Sequence, residues 1–171
     1  MSFYSRAIGL GLMGLATYAG CSDSALHNVS VSVGAVSEIN VTGSVTLSVT
    51  SGSAGTGLAT ASDSSAMLSF TTNSMGTKKI TASTSSSMPP GIGLSVSAAL
   101  DGSGVRVNNG SSVTATSEGT VQLSTTPTTV ISNVNRAVIR NAPLTYTLTA
   151  KPDAGEMSAT AITITYTITN A

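Results

Sequence analysis

The sequence predicts an all-β fold: an antiparallel, immunoglobulin-like β-sandwich of about eight to ten short strands, preceded by an N-terminal signal segment. Three observations lead there. Residues Ala161 to Asn170 read AITITYTITN, with Ile162, Ile164, Tyr166 and Ile168 on one parity and Thr163, Thr165, Thr167 and Thr169 on the other. A period of two gives a strand one apolar and one polar face. The same alternation recurs along most of the chain, with no helical period after Ala19. No segment is a continuous Val/Ile/Leu run, which favours antiparallel sheets with one wet face over buried parallel ones.

Composition narrows the class of function. Of 171 residues, 40% are hydrophobic and only 8% are charged, seven basic and seven acidic, where an ordinary domain has about 25% charged residues. The polar surface must then be built from Ser, Thr, Asn and Gly, a texture typical of extracellular β proteins. Zero net charge leaves no basic stripe to neutralise phosphates, so nucleic acid is set aside as a partner.

The elements follow in order. Arg6 is the only charge in the first 22 residues and precedes the apolar run Ala7 to Ala19, AIGLGLMGLATYA. That run has the length of a signal-peptide core and is too short to cross a bilayer as a helix. Residues 1–21 are therefore read as a signal and 22–171 as one β-sandwich domain, placed outside the cell or on its surface. Cys21, the only cysteine, follows Tyr18-Ala19-Gly20, a sequence that resembles a bacterial lipobox except for Tyr18 in the position usually held by Leu. Cys21 is thus a candidate for lipidation, which would be the only attachment to a membrane; cleavage after Ala19 is the alternative. A lone cysteine forms no intramolecular disulfide, so stability must come from sheet packing and pairing.

Val29, Val31, Val33 and Ala35 share a parity and predict a first strand; Val45, Leu47 and Val49 predict a second. The polar stretch Thr50 to Ser65 reads as a mobile loop. Ala66, Leu68 and Phe70 alternate, Ile80 and Ala82 follow Lys78-Lys79, and Leu94, Val96, Ala98 and Leu100 alternate after Pro89-Pro90. Asp101-Gly102 and Asn109-Gly110 are hairpin-type turn dipeptides. Val121 with Leu123, and Val130 with Ile131, mark weaker strands before a strong one at Leu144, Tyr146 and Leu148. The charged loop Lys151 to Ala159 would join this strand to the terminal one as an antiparallel hairpin. With no charge or Pro from Met157 to Ala171, the terminal strand would be an aggregation hazard at an open edge. It is expected to be covered, either centrally in its own sandwich or by a neighbour's Val29-to-Ala35 segment.

Chemistry-bearing residues are sparse. His27 is the only histidine, so a metal site of His and Cys ligands is excluded by count. The acids Glu38, Asp63, Asp101, Glu118, Asp153 and Glu156 are scattered, and there is no Trp. Phe70, Tyr146 and Tyr166 fall on apolar strand parities, which assigns them to the core. The expectation is no catalytic residue, no metal, no cofactor and no enzyme.

The order of parts, a signal, the alternating segment NVSVSVGAV from Asn28 to Val36, a sandwich without disulfides and an alternating last strand, resembles fimbrial subunits of the disulfide-free chaperone-usher type. The resemblance implies a secreted structural or adhesive protein, a pilus or filament subunit. In that family, subunits assemble by strand exchange, with Val29, Val31, Val33 and Ala35 entering a groove of the next subunit. The alternative is a monomeric, lipid-anchored module that binds a cell-surface glycan or protein through Thr50 to Ser65 and Gly102 to Ser112.

Overall fold

Strand parity becomes layer position in the computed structural model, which describes residues 25–101 and 114–171. The candidate Cys21, the signal segment and the loop Gly102 to Ser112 lie outside the described residues. The chain divides into two units, residues 1–33 and 34–171. Of the first, residues 25–33 are described and form no strand or helix. The second unit is an antiparallel β-sandwich.

Its strands are β1 (Ser37–Thr42), β2 (Gly52–Ser53), β3 (Gly57–Leu58), β4 (Ala61–Thr72), β5 (Lys78–Thr84), β6 (Ile92–Ala98), β7 (Thr114–Ser117), β8 (Val121–Gln122), β9 (Thr128–Asn135), β10 (Val138–Ala150) and β11 (Ile164–Asn170). One sheet runs β1-β4-β10-β6-β8, the facing sheet β11-β5-β9-β7, and β2-β3 forms a small separate hairpin. Every pair is antiparallel. The two longest strands, β4 and β10, pair at the centre of the five-stranded sheet.

Alternating residues point into the space between the sheets. Leu68, Ile80, Val96, Val130, Ile131, Val134, Ile139 and Leu144 are fully buried there. Phe70 and Tyr146 join them, as their parity predicts. The outward side of the β4–β10 pair is held by hydroxyls, Ser62 to Thr147 at 3.1 Å and Ser64 to Thr145 at 3.0 Å. Cross-strand Ser/Thr pairs of this kind take the place of the missing surface charges. Midway, β10 is bulged between Ile139 and Ala142, with Asn141 at φ 51° and its N–H donated to Ser69 Oγ. Asn tolerates this left-handed geometry better than most residues.

Four expectations are corrected. Residues 29–35 form no strand; the first strand is β1, a few residues further on. Val45, Leu47 and Val49 are half-buried alternately, yet the segment is not a ladder strand. Gly43 explains the break: it sits at φ +95°, and a Cβ there would run into the main chain of Ser65 and Ala66. Thr50 to Ser65 is not one loop, since it contains the β2–β3 hairpin and the start of β4. Finally, β10 and β11 are not a hairpin. They belong to different sheets, and the connection between them crosses the sandwich through a short 3-10 turn, Pro152–Ala154.

Past Gly43, a carboxylate replaces the ladder. Asp63 accepts the N–H of Thr46 at 3.1 Å, the N–H of Ser65 at 2.7 Å and the hydroxyl of Ser65 at 2.6 Å. These donors, the Ser65 hydroxyl first, hold the Asp63 carboxyl below its ordinary pKa. A depressed carboxyl pKa stabilises the fold above the unfolded-state value, and that contribution disappears as pH falls through the folded-state value. Urea midpoints of the native chain and of Asp63→Asn are therefore expected to differ at neutral pH. The two should converge as the medium is acidified below the usual aspartate range. A gap independent of pH would show that the carboxylate charge plays no part.

Candidate functional site

The two flanks of the sandwich are built differently. At one flank the edge strands β7 and β8 lie next to each other in sequence, and the chain crosses between sheets twice, from β7 to β8 and from β8 to β9. Both crossings are hydrogen-bonded to the sheets, the first by Glu118 N–H to Val130 C=O at 3.0 Å, the second by Leu123 N–H to Leu94 C=O and Thr84 N–H to Ser124 C=O, both at 2.8 Å. At the other flank β1 and β11 face each other as the outermost strands of their sheets. Among the described residues, β1 pairs only with β4, and β11 pairs only with β5. Among the described residues both therefore present a free main-chain edge, and of the two covers expected for the terminal strand a central position is not the one it takes.

Between these edges runs a groove of about 270 Å³ lined by Ile39, Asn40, Val41, Tyr146, Ile164 and Tyr166. Parity puts the apolar ones there. Ile39 and Val41 pair with the core residues Phe70 and Leu68 across β4, so they face inward but have no strand beyond them. Ile164 and Tyr166 do the same from β11, opposite Thr84 and Ala82 of β5. Ile39, Ile164, Tyr166 and Ile168 are only partly buried and pack against the core from its rim, and Val41 remains 37% exposed. This is a seam in an otherwise closed apolar core.

The floor of the seam is a pair of tyrosines, one from each sheet, with hydroxyl oxygens 2.7 Å apart. Burial raises the pKa of both phenols above the ordinary tyrosine value. They are neutral hydrogen-bonding groups here, one donating to the other, and bridge β10 to β11.

The predicted site residues lie beside this description. Val29, Val31 and Val33 are 70%, 88% and 89% exposed, and Ala35 is exposed as well. None of them belongs to a strand. Sequence reasoning passed over Asn73, whose side chain accepts the N–H of Val36 at 2.7 Å and donates to the C=O of Gly34 at 2.8 Å. Its main-chain N–H also donates to the C=O of Val36 at 3.2 Å. Within TTNSMGT it reads as an ordinary turn asparagine, and only the register of β1 on β4 reveals its role.

A second hollow, about 530 Å³ and shallow, is lined by Gly52, Ser53, Ala54, Gly55, Gly57, Leu58 and Pro152. It carries no charged or aromatic side chain. Among the described residues no three His, Cys, Asp or Glu side chains come together as metal ligands. Comparison with protein families, with curated proteins and with solved structures found no match.

Proposed function

We propose that this chain is a secreted or surface-exposed structural or adhesive protein that associates with further copies of itself by strand exchange, in the manner of a filament subunit. The observation that carries the reading is a complementary pair on one molecule. Residues 29–33 place three valines on one parity in solvent, and the seam between β1 and β11 offers two unpaired strand edges above an incompletely covered core.

Each half lacks what the other supplies. Burying an exposed valine contributes about 1.5–3 kcal/mol, and an inserted strand satisfies main-chain donors and acceptors along both edges. The low charge of the chain removes the repulsion that would otherwise oppose stacking of like copies.

Light scattering and electron microscopy of the purified exported protein test the reading. Assemblies that grow with concentration are expected, and a triple substitution Val29→Ser, Val31→Ser, Val33→Ser should abolish them while leaving the melting temperature of the sandwich in place. A native chain that stays monomeric at high concentration would overturn the proposal.

A further inference from the structure

We infer that Gly34 to Val36, locked by Asn73, prevents the chain from filling its own seam and so reserves the seam for the 29–33 segment of a second copy. The inference rests on the strand-exchange reading above and adds the direction of exchange to it.

The argument starts from parity. Inward positions of β1 are odd, Ser37, Ile39 and Val41, paired with the buried or core residues Thr72, Phe70 and Leu68. The valines 29, 31 and 33 are also odd, so residues 29–41 read as one uninterrupted strand. To enter its own seam, the segment would have to turn back beside β1, and the only residues available for a tight turn are those around Gly34-Ala35.

A two-residue turn at Gly34-Ala35 has a fitting sequence, since type II′ turns take Gly first. It would set Val33 opposite Val36, Val31 opposite Glu38 and Val29 opposite Asn40. Residues directly opposite share a face, so all three valines would go to the wet side. An odd-numbered turn restores the parity and brings Val31 to Ile39 or Ser37. Three-residue hairpin loops, however, want Gly at their left-handed last position, and in these two it falls first or in the middle. A loop at Ser32-Val33-Gly34, which puts Gly last, would carry Val29 only to Ser37, set His27 against Ile39 and spend Val33 in the turn.

Asn73 blocks the turns centred on Gly34 and Ala35 directly. Its side chain holds Gly34 C=O and Val36 N–H, and its main-chain N–H holds Val36 C=O. These are groups that a turn centred on Gly34 or Ala35 must reorient. Together they continue the β1–β4 register one residue beyond Ser37 opposite Thr72. Gly34 itself has open space around it, so nothing but these hydrogen bonds restrains it. The segment of another copy meets no such constraint, since its register in the seam is independent of the turn.

Cysteine cross-linking tests this in the full exported chain carrying Cys21→Ser. Val31→Cys reports the segment, and Ile39→Cys, which lines the seam and would stand opposite residue 31 after an odd turn, reports the seam. With the two on separate chains, oxidation is expected to join different copies. With both on one chain at high dilution, intrachain disulfide is expected to be negligible and to rise at least about tenfold in Asn73→Ala, once the three hydrogen bonds are reduced to the main-chain one. An abundant intrachain disulfide with Asn73 intact overturns the inference. Cross-links between copies that are indifferent to Asn73→Ala, with no intrachain product in either chain, remove the role of Asn73 and leave strand exchange standing. Absence of any cross-link, in a chain that stays monomeric, fails the strand-exchange reading and the inference with it.

Discussion

Leu144→Ala is expected to destabilise the sandwich by about 2–5 kcal/mol. Leu144 is completely buried in β10, the central strand of the larger sheet. Its neighbours across the ladder are both alanines, Ala66 on β4 and Ala98 on β6. Leucine therefore fills the space above two small residues, and neither alanine is long enough to collapse into the void. The cost combines lost burial with an unfilled cavity. For a domain of this size it corresponds to a fall in melting temperature of roughly 5–20 °C. Thermal and urea unfolding of the variant measure it. Thr165→Ala, on the exposed face of β11, serves as comparison and should change stability by less than about 1 kcal/mol. A loss below that level for Leu144→Ala would show that the core repacks around the missing side chain.

Tyr146→Phe and Tyr166→Phe are each expected to destabilise by about 1–3 kcal/mol, whereas the double replacement should lie well short of the sum. The reason is the 2.7 Å hydrogen bond between the two hydroxyls. Removing one leaves the other with a desolvated hydroxyl and no partner, while removing both leaves two rings of nearly unchanged shape. The same pair predicts an alkaline limit. Burial raises both phenol pKa values above the unfolded value of about 10. A raised folded-state pKa stabilises the fold below the unfolded value, and this contribution is lost progressively as pH rises above it. Unfolding free energy should drop above about pH 10 in the native chain and drop less in the double phenylalanine variant. Additive single effects would mean that water reaches the floor of the seam and satisfies the remaining hydroxyl.

Much of the fold was legible because alternation reports which face a residue occupies. The positions of Leu68, Phe70, Leu94, Val96, Leu144 and Tyr146 in the core follow from their parity. The strand predicted at Val45 to Val49 failed for a reason that parity does not carry. Its side chains do alternate between rim and solvent, but Gly43 at φ +95° takes the main chain out of the ladder. The hairpin expected from β10 and β11 failed because adjacency in sequence is a tendency, and the loop from Lys151 to Ala159 is long enough to cross between layers. Within the candidate site, Tyr146, Ile164 and Tyr166 were visible on apolar parities, whereas Ile39 and Val41 of β1 were not singled out. That these residues form a rim was not visible, because an inward residue reads alike whether or not a strand lies beyond it.

By itself the sequence determined the all-β class, the face assignments of its strongest strands and a surface nearly without charge. Side chains of alternating polarity can satisfy solvent and core in one way only, so these properties are local. The tertiary structure decided which strands pair, that AITITYTITN ends as β11 at an edge, and that this edge meets β1 across an open seam. Main-chain hydrogen bonds join any two strands alike, so neighbour order is settled by how the whole set of faces closes around one core. Here the closure leaves β1 and β11 as the facing outermost strands of one flank.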